Sequence, residues 1–204
     1  MYLAKTPEIL KPLYKDLVWD MEVKAKEMFL SFDDGPHPSI TPKVLDLLSQ
    51  YNAKATFFCI GGNVKKHPEI YKRILNEGHS VGNHTYNHMN GWKFSDYSYY
   101  RNIIECAELV NTNLFRPPYG RIKSKQVKGL KSRFKIIMWD VLSADYDKKV
   151  TPEKCFQNVK ENAKSGSIVV FHDSLKAEKN MLYTLPKVLD HFSKEGYLFK
   201  NIIL

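Results

Sequence analysis

Short apolar runs rich in β-branched and aromatic residues alternate along this chain with longer stretches whose apolar positions recur every three to four residues. Runs of the first kind suit buried strands and stretches of the second kind suit amphipathic helices, so the alternation predicts a parallel sheet with helical crossovers. Strands are expected at 27–32, 55–61, 79–84, 113–116, 134–141, 167–172 and 197–203, about seven in all. Helices are expected at 41–51, 63–76, 95–112, 123–132, 151–164 and 181–195. Thr41-Pro42 and Thr151-Pro152 mark two helix starts, where a missing proline N–H costs nothing, and Gly78 and Gly196 fall where a left-handed residue ends a helix. With no internal repeat and no linker, the pattern reads as one α/β barrel-like domain over residues 27–204, preceded by a lead segment, 1–26.

The polar residues with chemical potential cluster where the predicted strands stop. Asp33 and Asp34 follow the first strand, His84 and His88 the third, Arg116 the fourth, Asp140 and Asp145 the fifth, and His172 the sixth. In a barrel of parallel strands those ends share one face, on which loops build active sites.

Each segment has a plain reading beside a chemical one. In SFDDGP, 31–36, adjacent carboxylates point different ways, so one can face a metal while the other faces substrate; an Asp-Gly turn after a strand fits equally. His84 and His88 stand four apart and can meet at one cation, or serve as a helix N-cap and a surface side chain. With Asp34 they offer two neutral nitrogens and one anionic oxygen, a set that leaves positions for water and substrate. FRPPYG, 115–120, is a rigid turn next to Arg116. In WDVLSADYD, 139–147, Asp140 and Asp145 are either site acids or loop acids, and His172 in SIVVFHDS, 167–174, is either a core histidine or a proton donor at the rim. Tyr86, Trp92, Tyr119 and Tyr146 lie near these segments and have rings suited to sugar faces, although large aromatics are more often core.

Composition narrows the classes. A 204-residue chain that is 43% apolar can bury a core without disulfides. Cys59, Cys106 and Cys155 are odd in number and widely spaced, which fits reduced thiols rather than a disulfide framework or a thiolate metal site. The net charge of +9 favours anionic partners. The basic residues are scattered and form no nucleic-acid motif, so no nucleic-acid partner is expected. Lys5, Pro7, Lys11 and Pro12 interrupt the start of the chain, which therefore reads as neither signal peptide nor membrane span, and a cytoplasmic location is expected for the sequence as written. Leu10, Leu13, Leu17 and Val18 among lysines suit a helix packed on the barrel, or a peripheral association with membrane or cell envelope.

The five segments, in this order, resemble the five motifs of the polysaccharide deacetylase family, carbohydrate esterase family 4, from about residue 27 to the C-terminus. The resemblance implies a distorted (β/α)7 barrel and a catalytic domain spanning 27–204. It implies one divalent metal on Asp34, His84 and His88, zinc first, with cobalt, nickel, manganese and iron also accepted by such ligands. It implies Asp33 as general base, His172 as general acid, Arg116 orienting Asp33, the Tyr119 backbone N–H in an oxyanion hole, and Asp145 charging His172. The implied activity is removal of acetyl groups from the N-acetylated sugars of a peptidoglycan or chitin-like glycan, by a monomer.

Three positions depart from the family pattern: Tyr146 stands where Trp is usual, Leu142 where a further Asp is often found, and Val170 where Leu is usual. The Tyr and Val changes keep an apolar groove wall, while Leu142 leaves Asp145 as the acid for His172. Rival readings are an acetylxylan esterase or small-amide hydrolase on the same scaffold, a catalytically silent glycan-binding protein, and a non-haem iron oxygenase, which also uses two His and one carboxylate.

Overall fold

The computed structural model describes residues 3–204. After a short helix, α1 (Leu10–Leu13), the strands are β1 (Leu17–Val18), β2 (Glu27–Asp33), β3 (Ala55–Cys59), β4 (Ser80–Asn83), β5 (Leu114–Phe115), β6 (Lys135–Ile137), β7 (Val141–Leu142), β8 (Ile168–His172) and β9 (Leu198–Phe199). The helices between them are α2 (Thr41–Gln50), α3 (Gly61–Lys66), α4 (Pro68–Asn76), α5 (Asp96–Ala107), α6 (Ser124–Leu130), α7 (Pro152–Asn162) and α8 (Glu178–Lys194). The sheet runs β1-β6-β5-β4-β3-β2-β8-β7, with β9 on β2 and every ladder parallel. This is the curled, distorted (β/α)7 barrel that the sequence leads one to expect.

Period-two alternation sorts the side chains of the central strands. On β2, Met28, Leu30 and Phe32 join the large core shared with the helices, together with Val169 and Phe171 of β8 and Leu185, Val188 and Leu189 of α8. Phe29 points the other way, into an interior cluster with Phe58, Leu114, Ile137 and Ile168. Ser31 and Asp33 share that inner parity, as Val170 and His172 share it with Ile168. The β2–β8 register pairs Asp33 with His172 directly.

Three local expectations need correction. The helix expected at 63–76 is two helices, because Pro68 has no N–H to give and its ring excludes the preceding turn. The strand expected at 134–141 is also two, β6 and β7, separated by Met138–Asp140. The lead segment enters the sheet as β1 rather than only packing against it as a helix, and its ladder continues where Met138 N donates to the Val18 carbonyl.

The lead segment is also what parts β6 from β7. Lys5 bridges Val141, Leu142 N donates to the Ala4 carbonyl, Thr6 N to the Asp140 carbonyl, and Thr6 Oγ1 to the Trp139 carbonyl at 2.7 Å. Residues 4–21 thus pair with both sides of the barrel seam, ending where Met21 N donates to the Gly166 carbonyl. The helix ends at Gly78 and Gly196 follow expectation, with φ of 78° and 81°. No helix among the described residues is long and apolar enough to cross a membrane.

Candidate active site

The C-terminal ends of the strands open into a groove of roughly 800 Å³ lined by Asp33, Asp34, His84, His88, Tyr119 and His172, among others. Asp33 ends β2, and Asp34 follows with φ 81°, a left-handed conformation that swings its carboxylate away from that of its neighbour. Asp34, Thr85, His88, Tyr119 and Ala144 all have positive φ and all lie in or beside the predicted segments. Such conformations cost energy in residues with a Cβ and persist only where the surroundings enforce them.

Arg116, fully buried, sits at the centre of the barrel. Its Nη1 donates to Asp33 Oδ1 and to Ser31 Oγ, both at 2.8 Å; Nη2 donates to the Met138 carbonyl and Nε to the Ile137 carbonyl, while the guanidinium lies 4.0 Å from the Phe58 ring centroid. Burial pulls the Arg116 pKa down, and the charge of Asp33 opposes the shift. The pair is a buried ion pair in which every guanidinium nitrogen makes a hydrogen bond, an arrangement that holds the Asp33 side chain in place.

Asp34, His84 and His88 form a cluster whose candidate ligand atoms all lie within 4.8 Å of one another. Asp34 Oδ1 is 3.2 Å from His88 Nε2 and 3.8 Å from His84 Nε2, and it is buried without a hydrogen bond. His84 Nδ1 lies 2.8 Å from the Arg116 carbonyl, which only accepts, so the ring proton is on Nδ1 and the Nε2 lone pair faces Asp34. Burial lowers the His84 pKa to about 4, keeping that ring neutral at pH 7. Burial works against an ionised Asp34, but the imidazoles of His88, His172 and His84 around it hold its carboxyl well below the usual range. An orphaned anionic oxygen facing two imidazole nitrogens fits a divalent cation.

His84 to His88 form a loop rather than a helical turn. Three side chains that the sequence reading passed over support it: Asn102 of α5 accepts from the N–H groups of Tyr86 and Asn87, Asn83 Oδ1 from Thr85 N, and Thr85 Oγ1 from Met89 N. A polar Asn102 on the buried face of α5, beside Ile103 and Cys106, was the available signal. His88 Nδ1 meets the Tyr119 hydroxyl at 3.1 Å, which brings the Pro118–Gly120 turn into the site.

His172 ends β8. Asp145, buried, accepts from its backbone N–H through Oδ2 and meets its ring Nδ1 through Oδ1, each at 2.8 Å. Burial disfavours a charged imidazole here, but the charge and hydrogen bond of Asp145, with Asp34 and Asp33 behind them, prevail and raise the His172 pKa to about 9. The Tyr146 ring packs edge-on to His172 at 4.9 Å, and Leu142, Val170 and Trp139 form an apolar wall in the same groove.

Not every candidate converges. Asp140 is buried outside the groove, bound by Lys5 at 2.5 Å, Lys11 at 2.9 Å and Ser167 at 2.5 Å, so it fastens the lead segment. Tyr86 packs against the main core, not in the groove. Asp173, next to His172, is a further buried acid that the sequence pattern does not single out. It is fully buried, accepts from Thr41 Oγ1 at 2.5 Å and from the Gly35 backbone, and donates its own N–H to the Asp33 carbonyl, bracing the Asp33–Gly35 turn from below. A Cβ on Gly35 would overlap the Asp173 carboxylate, so glycine is required there for close approach.

Comparison with known proteins agrees with this architecture. The family model described as polysaccharide deacetylase matches residues 20–133. Two relatives from Bacillus cereus, both named peptidoglycan-N-acetylglucosamine deacetylase, are 39% and 36% identical; the alignments cover 86% and 91% of this chain, which spans 66% and 91% of theirs. A solved peptidoglycan N-acetylglucosamine deacetylase in complex with 4-naphthalen-1-yl-N-oxidanyl-benzamide superposes with a TM-score of 0.88 at 35% identity, covering 97% of this chain and 95% of that one. The chain belongs to the polysaccharide deacetylase family, carbohydrate esterase family 4, whose relatives named here are peptidoglycan-N-acetylglucosamine deacetylases.

Proposed function

We propose that this chain removes the acetyl group from N-acetylated sugars of a peptidoglycan-type glycan, with residues 27–204 as the catalytic unit and the lead segment, 1–26, outside it, strapping the barrel seam through residues 4–21. The observation that supports the reading is the direct register pairing of Asp33 with His172 on neighbouring strands, beside the Asp34, His84 and His88 cluster.

Asp34, His84 and His88 would hold one divalent ion, zinc first among those such ligands accept. When bound, it polarises the acetyl carbonyl and acidifies a water. Asp33 takes the proton of the attacking water. Its carboxylate is ready for this because Arg116 fixes it through Oδ1, which leaves Oδ2 for the groove. The Tyr119 backbone N–H is assigned the donor role toward the carbonyl oxygen as negative charge builds there. His172 carries its proton at neutral pH and gives it to the departing amine, which cannot leave as an anion. Leu142, Val170 and Trp139 offer the acetyl methyl an apolar wall.

A charged His172 favours an amide over an ester substrate, because an alkoxide needs an acid less than an amine does. The test is turnover of metal-loaded protein on N-acetylchitooligosaccharide, peptidoglycan and acetylxylan. Release of acetate from the first two at rates above acetylxylan is expected; exclusive hydrolysis of acetylxylan, or full activity after exhaustive chelation, would overturn the reading.

A further inference from the structure

Two exposed cations stand on the groove rim, each over an aromatic ring and each on a different side of the reacting groups. Arg121 follows the turn whose Tyr119 hydroxyl meets His88, and its guanidinium lies 4.2 Å from the Trp92 ring centroid. Lys176 follows β8, and its ammonium lies 5.2 Å from the ring centroid of Tyr146, the residue packed on His172. Both line the groove, as does Lys93. Among the described residues neither Arg121 nor Lys176 is in an ion pair.

The acids of this groove are already engaged. Among the described residues, the carboxylates lining it are Asp33, held by Arg116, and Asp34, set in the cation cluster. Asp145 is spent on His172. Arg116 is matched by Asp33 and His172 by Asp145, so Lys93, Arg121 and Lys176 face Asp34 alone and the groove carries net positive charge even before a divalent ion is added. A low-dielectric cleft of one sign concentrates ligands of the other. The aromatic faces matter as well: a cation resting on a ring has less freedom to lose when it meets an anion, so less of the attraction is given up in ordering it.

We propose that Arg121 and Lys176 make the groove selective for glycans bearing carboxylates on the sugars that flank the target acetamido sugar. A guanidinium on the His88 side matches a carboxylate in two-point contact, and an ammonium on the His172 side takes one as a point charge. A neutral chitin-type chain fits the same groove but leaves both cations without an anion. This deepens the deacetylase reading above and rests on it.

The experiment compares three probes on the metal-loaded protein: peptide-free oligomers of N-acetylglucosaminyl-N-acetylmuramic acid with free carboxylates, the same oligomers as carboxyl methyl esters, and N-acetylchitotetraose. The parent is expected to favour the free acid over its ester by roughly fivefold to tenfold in kcat/KM, the scale of two exposed ion pairs, with the preference shrinking as salt rises from 0.05 to 0.5 M. In the Arg121→Gln/Lys176→Gln double variant the ratio is expected to approach one, and in Lys176→Glu to fall below that of Lys176→Gln. Because the readout is a ratio on one protein preparation, a general loss of activity does not mimic it. Equal rates on acid and ester by the parent, or an unchanged ratio in the double variant, overturns the charge selection. Failure of the parent to release acetate from all three probes would instead overturn the deacetylase reading.

Discussion

Asp145 divides its two carboxylate oxygens between the backbone N–H and the ring Nδ1 of His172, at 2.8 Å each. A side chain gripped at both its root and its ring cannot rotate away, and the same contact keeps the imidazole charged. The sign follows from the direction of the shift: a general acid must hold its proton, so turnover persists below the His172 pKa and falls as pH rises through it. That pKa is raised to about 9, and a divalent ion at Asp34 would draw it part of the way back by offsetting the Asp34 charge. Asp145→Asn removes the main raising influence. The alkaline limb of kcat against pH on an amide substrate is expected to move to lower pH, with kcat at pH 7 down by about 10² or more. An unshifted limb counts against the assignment.

Asp33 and Arg116 separate chemistry from stability. Asp33→Asn is expected to keep the divalent ion and lose about 10²–10⁴ in kcat. Arg116→Ala is a different lesion, since it leaves Asp33 without its counter-ion inside the barrel and empties the space over Phe58. It is expected to cost about 3–5 kcal/mol of stability, read by denaturant unfolding.

For the cation cluster, His84→Ala is expected to abolish both metal retention and turnover, because the remaining Asp34 and His88 provide only two ligands. Zinc in hundredfold excess over its dissociation constant is expected to stabilise the parent by about 2.7 kcal/mol and leave His84→Ala almost unmoved. Calorimetric unfolding with and without metal checks both. Equal stabilisation of the two proteins would rule these residues out as the site.

Asp140 is expected to matter to folding and not to catalysis. Asp140→Ala leaves Lys11, itself little exposed, without its buried partner and frees the strap from the seam. Lys11 keeps Asp20 and Glu8 as partners, so a loss of about 1–3 kcal/mol with unaltered metal affinity is expected. A selective loss of turnover at full stability would return Asp140 to the active site.

Gly35 and Asp173 are expected to be coupled. Gly35→Ala forces a methyl into the Asp173 carboxylate and should cost about 1–3 kcal/mol. In the Gly35→Ala/Asp173→Ala protein the methyl has room, so the double variant should be more stable than the two single losses add to, by about 0.5–3 kcal/mol in a double-mutant cycle. Strict additivity would show that the two do not touch.

Much of the site was legible because a parallel barrel turns sequence order into spatial convergence: residues just past β2, β4, β5 and β8 must meet at one end. Period two did the rest on the strands themselves, placing Asp33 with Ser31 and His172 with Val170. What escaped the sequence depends on contacts between distant segments. MWD, 138–140, reads as uninterrupted strand, but its backbone groups are divided among Val18, Thr6 and Ile168, partners far away in the chain. Asp140 and Asp145 are indistinguishable as letters, and one binds Lys5 and Lys11 while the other binds His172. Asp173 looks like one more polar residue after a strand until Thr41 and Gly35 close on it.

By itself, then, the sequence determined the broad alternation of strands and helices and the set of polar strand ends that converge, because these follow from periodicity and local chemistry, and its ordered motifs carried the family resemblance. Only the tertiary structure decided which acid serves which base, how the lead segment closes the seam, and which groove cations rest on aromatic rings with no carboxylate partner among the described residues. Each of those is set by the environment of a charge, and burial and neighbours are properties of the packed chain.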